Sequence, residues 1–323
     1  MLMIQRPNFF IVGAPKTGTT AMNAYLSRHP LIFMAQKELH YFSDECFYDP
    51  PLDCRDLDWY LSFFKAAGDK PLRGEASVWY LSSKIAAARI MEFNPNAKIV
   101  IHVRNPIDLI ISYHSELLFL GYEDIQDIEQ ALDAEAERRR GLRMPRGCRV
   151  PRVLFYSEIG RISDQVDRFV ARFGRQNVHI NQFEKFAEDP AAVYHETLIF
   201  LGAAEPTFKT MFDSINGNKA IRYRTLQTFM DRPPKHLRQA VELIPMPIRR
   251  TIRSWMWRIN TRFVPRPTPK PAVIARLSRE FGEEIERFKD LLERLNASSG
   301  PTIWSIAFSV LLLHHGRHLP WFR

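Results

Sequence analysis

Cysteine is scarce in this chain: three residues among 323 (Cys46, Cys54 and Cys148), an odd number with no C-x-x-C pair. A disulfide framework and a zinc site are thereby disfavoured, and a reducing compartment is the simpler expectation. Long apolar runs are missing too. The 303–313 stretch is apolar but falls well short of the roughly 20 residues needed to cross a bilayer. Met1-Leu2-Met3-Ile4-Gln5-Arg6-Pro7 is too short to act as a signal peptide before the first apolar strand, so a cytoplasmic protein is expected. There is no internal repeat and no long low-complexity segment. No nucleic-acid-binding spacing accompanies the arginine-rich stretches 138–152 and 249–262, so the net charge of +9 does not by itself imply a nucleic acid partner. Small, multiply charged anions and membrane surfaces remain as partners that the charge would suit.

What is present, from residue 9 to about 202, is an alternation of short β-branched or aromatic runs with longer helical patterns. Such alternation predicts an α/β domain with a mostly parallel central sheet flanked by helices. Strands are expected at Phe9 to Val12, Leu31 to Met34, Leu72 to Gly74, Lys98 to Val103 and Asn177 to Gln182. Helices are expected at 19–27, 83–93, 106–120, 128–139, 162–173 and 191–201, the last stopped by Gly202. Further helices are expected at 248–260 and 273–295, separated by a stiff Pro-rich connector over about 264–271. A single domain is expected over residues 1–305, followed by a flexible tail over 306–323.

The first strand runs directly into Gly13-Ala14-Pro15-Lys16-Thr17-Gly18-Thr19-Thr20 and then a helix. Unpaired N–H groups and the positive end of the helix dipole make such a turn an anion cradle. Gly13 and Gly18 keep the spacing of a nucleotide phosphate loop, but Thr19 stands where that loop has lysine, and the lysine lies inside, at Lys16. A phosphoryl-transfer enzyme also pairs its loop with a metal held by a strand-end aspartate. Here Lys98-Ile99-Val100-Ile101-His102-Val103 ends in Arg104, which attracts an anion instead. Pro106 starts the next helix, with Ser112 further along it. Ligands of open parallel sheets bind beyond the carboxyl ends of strands, so Lys16 and Arg104 are expected to face one crevice.

The Pro15 to Thr20 loop together with Arg104 and Ser112 resembles the two phosphate-binding motifs of sulfotransferases that use 3′-phosphoadenosine 5′-phosphosulfate (PAPS). The likeness covers roughly residues 8 to 305. It implies that Pro15, Lys16, Thr17, Gly18, Thr19 and Thr20 hold the 5′-phosphosulfate, with Lys16 on the bridging oxygen, and that Arg104 and Ser112 hold the 3′-phosphate. It further implies in-line sulfuryl transfer to a hydroxyl or amine of a carbohydrate, glycolipid or small metabolite. Adenosine 3′,5′-bisphosphate is the expected product, and no metal is required. Lys37-Glu38-Leu39-His40-Tyr41-Phe42 is similar to a stretch of carbohydrate sulfotransferases whose glutamate is proposed to deprotonate the acceptor. Glu38 is therefore the favoured base and His40 the alternative. The 183–190 segment resembles a recurring family element, read as structural.

There are departures. Carbohydrate sulfotransferases often carry a lysine on the third strand, where this chain reads Arg73-Gly74-Glu75-Ala76-Ser77. The basic loop that closes over the 3′-phosphate is matched loosely by Lys219 and Arg222. Loops around Tyr41, Tyr80, Glu116 and Tyr156 are expected to build the acceptor pocket. In the basic 248–263 stretch, Trp255 and Trp257 are expected to pack on the domain, with a peripheral membrane contact as the open alternative. A phosphate-loop kinase remains the alternative to the whole reading, and nothing in the sequence bears on oligomeric state.

Overall fold

The Phe9-Phe10-Ile11-Val12 run has no polar alternation, as befits a strand covered on both faces. In the computed structural model it forms the middle of the sheet. The structure describes residues 6–43, 56–148, 150–204, 211–212, 219–223, 258–264 and 268–297, with isolated positions between 226 and 256. The chain divides into two compact units, Met1–Ile215 with Pro269–Arg317, and Asn216–Thr268 with His318–Arg323.

The first unit holds five strands: β1 (Phe9–Gly13), β2 (Ile32–Met34), β3 (Leu72–Ala76), β4 (Lys98–Val103) and β5 (Val178–Gln182). They pair in parallel in the order β2-β3-β1-β4-β5. Its helices are α1 (Thr19–Ser27), α2 (Leu57–Ser62), α3 (Trp79–Ser82), α4 (Ala86–Phe93), α5 (Pro106–Leu120), α6 (Ile128–Asp133), α7 (Glu135–Arg138), α8 (Tyr156–Ile159), α9 (Ile162–Phe173), α10 (Phe183–Glu188) and α11 (Pro190–Leu201). Two more follow late in the chain, over Pro271–Glu280 and Gly282–Ala297.

Side chains of a strand alternate between faces, and this divides the core in two. Phe10, Val12, Ile99, Ile101 and Val103 pack with α4, α5 and α9. Phe9, Ile11, Ala76 and Val100 pack with α1 and α11 on the opposite face. The chain leaves β1 toward β2 and β3 on one side and later reaches β4 on the other. The order therefore reverses beside β1, and the crevice at the carboxyl ends of β1 and β4 is where such a sheet binds ligands.

Several expectations need correction. The 83–93 helix begins only at Ala86, after Ser83 Oγ accepts the N–H groups of Ile85 and Ala86. The 128–139 pattern is two short helices, α6 and α7, meeting at Ala134. The 273–295 pattern is likewise divided, at Phe281. The third strand extends to Ala76, two residues beyond the expected end, which carries Glu75 into the sheet.

In the second unit, β6 (Lys219–Ile221) pairs antiparallel with β7 (Thr261–Phe263). Asn260 clips the pair by accepting from the Tyr223 N–H at 2.8 Å and donating to its carbonyl at 3.1 Å. Helical backbone is present at 248, 252, 255, 256 and 258–260. Trp255 is 62% exposed rather than packed on the domain, and Trp257 lies outside the described residues. The 306–323 tail also lies outside them.

Candidate active site

The loop after β1 is fixed from below by β4. The Ala14 N–H donates to the His102 carbonyl at 3.2 Å, and Thr17 Oγ1 donates to the Ala14 carbonyl at 2.6 Å. The His102 ring is fully buried, with Nδ1 3.1 Å from the Thr17 carbonyl and Nε2 3.1 Å from the Asn181 amide nitrogen. Since the Asn181 amide donates to Nε2, the proton sits on Nδ1 and is given to Thr17. Burial pushes the His102 pKa down to about 3, so the ring stays neutral and keeps this tautomer.

Lys16 and Gly18 both adopt left-handed backbone, at φ 66° and 85°. A Cβ on Gly18 would come within 2.8 Å of the Phe186 ring, so the turn demands glycine twice over. Gly18 caps α1 without offering a side-chain acceptor, which leaves the first-turn amides without a side-chain cap. Lys37 Nζ and the Thr19 and Thr20 hydroxyls meet at this turn, a donor set suited to a multiply charged anion.

Arg104, at the carboxyl end of β4, donates from Nη1 to the Lys16 carbonyl at 3.3 Å. The expected meeting of the two motifs is thus a direct contact. Its guanidinium lies 4.3 Å from the centroid of the Phe183 ring. Pro106 starts α5 as expected, and the Asn105 side chain caps the helix by accepting from the Ile107 N–H. Glu184 accepts from the Asn105 N–H at 3.0 Å. Through Phe183, Glu184 and Phe186, α10 therefore braces both anion motifs, a physical reason for the structural role expected of the 183–190 segment. Ser112 is fully buried on α5.

The third element follows β2. Glu38 lies between two neighbours, with Oε1 2.9 Å from Lys37 Nζ and Oε2 2.9 Å from His40 Nε2. Burial alone would raise its pKa, but the His40 hydrogen bond and the nearby positive charges more than reverse this and bring it to about 2. Glu38 is therefore a carboxylate at any working pH. Lys37 Nζ also reaches the phosphate loop, 3.1 Å from Thr19 Oγ1 and 2.8 Å from Thr20 Oγ1.

Behind this segment lies Glu75, fully buried at the end of β3. Its Oε1 accepts from Ser77 Oγ and Tyr80 OH, each at 2.7 Å, and its Oε2 accepts from Tyr60 OH at 2.5 Å. Ser77 Oγ in turn accepts the N–H groups of Leu39 and His40 at 3.1 Å each, and Tyr80 OH accepts that of Phe42 at 3.3 Å. His40 has φ 52°, a strained value for a non-glycine residue, held by this network.

The structure thus brings together Pro15 to Thr20, Arg104, Glu38 and His40. Lys219 has its side chain outside the described residues, and Arg222 is exposed in the second unit. Two of the residues around which acceptor loops are expected are themselves buried in the core. Tyr80 is buried on Glu75, and Tyr156 is buried with its hydroxyl 2.9 Å from Glu123, which the buried Arg138 grips with both terminal nitrogens. Tyr41 stacks on Tyr60 with centroids 4.4 Å apart, and Glu116 pairs with Lys16 at 3.0 Å. Sequence reasoning assigned no role in the site to Lys37, Glu75 or Phe183. Each carried a partial signal: Lys37 as the neighbour of Glu38, Glu75 as the carboxylate on the third strand where the family often has lysine, and Phe183 as part of the 183–190 segment.

A model of the sulfotransferase domain matches residues 6–239. Human bifunctional heparan sulfate N-deacetylase/N-sulfotransferase 2 is 27% identical over 205 residues, covering 61% of this chain and 22% of that protein. The membrane-associated sulfotransferase kil1 of Dictyostelium discoideum is 31% identical over 132 residues, covering 39% of this chain and 26% of that protein. The crystal structure of a sulfotransferase from Alicyclobacillus acidocaldarius matches with a TM-score of 0.58 at 31% identity, covering 70% of this chain and 90% of that one. The chain spans about a fifth of the length of the heparan sulfate enzymes it matches. With the family model covering well over half its length, the chain belongs to the sulfotransferase domain family.

Proposed function

We propose that this protein transfers a sulfuryl group from PAPS to a hydroxyl or amine of a carbohydrate, glycolipid or small metabolite. The observation that carries this reading is the placement of an ionised carboxylate, Glu38, one ammonium away from the Thr19 and Thr20 hydroxyls of the anion loop. Lys16 and the first-turn amides of α1 would hold the 5′-phosphosulfate, while Arg104 and Ser112 would hold the 3′-phosphate. PAPS supplies the activated sulfuryl group. The acceptor oxygen or nitrogen bonds to sulfur as the bond from sulfur to the 5′-phosphate oxygen breaks, and the electron pair of that bond leaves on the phosphate.

Glu38 takes the acceptor proton. Its low pKa makes it too weak a base to ionise an alcohol beforehand, so proton transfer accompanies bond formation. Lys16 stabilises the charge arriving on the phosphate. The phosphoryl-transfer alternative has no support, since β4 ends in Arg104 where a metal-holding aspartate would be needed.

Calorimetric titration tests the reading. The protein should bind adenosine 3′,5′-bisphosphate, and Lys16→Ala and Arg104→Ala should each weaken that binding at least about tenfold, the loss of one charge-assisted contact. Preference for ATP with magnesium would contradict it. A peripheral membrane contact is a separate proposal, supported by the exposure of Ile248, Ile252, Trp255 and Ile259 at helical spacing beside exposed Arg258 and Arg262. Co-sedimentation with anionic but not neutral vesicles would support it, and failure to sediment with either would overturn it.

A further inference from the structure

We propose that Lys37 is a positioning residue serving both halves of the site, turning the Thr19 and Thr20 hydroxyls toward the donor's anionic group and holding Glu38 beside them. The inference rests on the sulfuryl-transfer reading. An ammonium has three N–H donors and no acceptor. Lys37 has a partner for each: Thr19 Oγ1 at 3.1 Å, Thr20 Oγ1 at 2.8 Å and Glu38 Oε1 at 2.9 Å. A hydroxyl that accepts from an ammonium keeps its own proton to give elsewhere. Two O–H donors are thereby left at the turn where the first amides of α1 already gather.

The position of Lys37 is held from both sides. The Ala35 N–H donates to the Gly74 carbonyl at 2.9 Å, and the Leu39 and His40 N–H groups donate to Ser77 Oγ. Its side chain is only 14% exposed, so the contacts lie largely out of water and are weakly screened. Other cations of the site are engaged differently. Lys16 pairs with Glu116, and Arg104 lies on Phe183 and the Lys16 carbonyl. The carboxyl end of β3 brings Glu75, Ala76 and Ser77, with no cation. Among the described residues, Lys37 is the cation that touches the loop hydroxyls and the base together.

The test is a double-mutant cycle on the full chain, read by titration with adenosine 3′,5′-bisphosphate and checked for folding by circular dichroism. Lys37→Met and Thr20→Val should each weaken binding about tenfold, an estimate for one hydrogen bond to a charged group. The combined variant should bind no worse than about twofold below the weaker single variant, because both changes remove one chain of contacts. Lys37→Arg should recover most of the affinity. If Lys37→Met does not fold, Thr19→Val/Thr20→Val, which leaves Lys37 in place, should show a loss of about tenfold or more. Unchanged affinity in Lys37→Met, unchanged affinity in the double valine variant, or losses that multiply in the cycle would overturn the proposal. If the wild-type protein fails to bind the bisphosphate, the sulfuryl-transfer reading falls and this proposal with it. Wild-type binding with a silent Lys37→Met sinks this proposal alone.

Discussion

Replacing Glu75 by glutamine keeps the shape of the side chain and changes one hydrogen-bonding atom. The amide oxygen can still accept from Ser77 Oγ and Tyr80 OH, but the amide nitrogen then faces Tyr60 OH, donor against donor. One buried hydroxyl left without an acceptor costs about 1–3 kcal/mol. For a unit of this size that lowers the unfolding temperature by about 2–6 °C. Relieving the donor-against-donor contact with Tyr60 shifts the amide, which loosens Ser77, whose hydroxyl holds the Leu39 and His40 N–H groups, and so displaces the Glu38–His40 pair. A misplaced base should lower kcat about tenfold to a hundredfold. The phosphate loop is fixed by His102 and Arg104 as well as by Lys37, so affinity for adenosine 3′,5′-bisphosphate should fall less than kcat, by no more than about fivefold. Differential scanning calorimetry, bisphosphate titration and turnover of PAPS measure the three quantities. An unchanged unfolding temperature would refute the role of Glu75 as a hub. Bisphosphate affinity falling in step with kcat would show that it supports the donor loop instead of the base.

Glu116→Gln removes a carboxylate that competes for Lys16, and calorimetry should show bisphosphate affinity rising about threefold to tenfold; a fall would mean that Glu116 assists the donor. His102 has a folded pKa of about 3 against about 6.5 unfolded, so the unfolded chain binds more protons between those values and stability is lost as pH falls from 7 toward 3. Unfolding temperatures measured across that range should decline less steeply in His102→Gln than in wild type, and equal slopes would remove His102 from the explanation. Gly18→Ala places a Cβ 2.8 Å from Phe186 at φ 85°, which should cost about 1–3 kcal/mol of stability and abolish measurable bisphosphate binding; wild-type affinity in this variant would contradict the loop geometry.

Much of the first unit was legible in the chain because its strands are buried on both faces and read as apolar runs. Lys98–Val103 was expected at its observed bounds, as were the helices Thr19–Ser27, Pro106–Leu120 and Ile162–Phe173. Helices α2, α3, α8 and α10 span four to six residues, too few for a period of 3.6 to show. The Lys16 loop and Arg104 were legible for a local reason, since each directly follows a strand that delivers it. Glu75 stood out on the third strand but its role was not legible, because that role depends on hydroxyls from Tyr60, Ser77 and Tyr80 that folding brings around it. The burial of the Tyr80 and Tyr156 side chains was hidden for the same reason: an aromatic near a loop can equally be a core strut with its hydroxyl on a buried carboxylate.

Transfer of radiolabelled sulfate from PAPS to a panel of hydroxyl- and amine-bearing acceptors, with wild-type protein beside Glu38→Gln, tests sulfuryl transfer most directly. Wild type should label at least one acceptor. Glu38→Gln should bind adenosine 3′,5′-bisphosphate nearly as well and transfer label about 10²–10⁴-fold more slowly, the usual worth of a positioned base. Normal transfer by Glu38→Gln would remove Glu38 as the base. Absence of any transfer by wild type, together with phosphoryl transfer from ATP, would contradict the function itself.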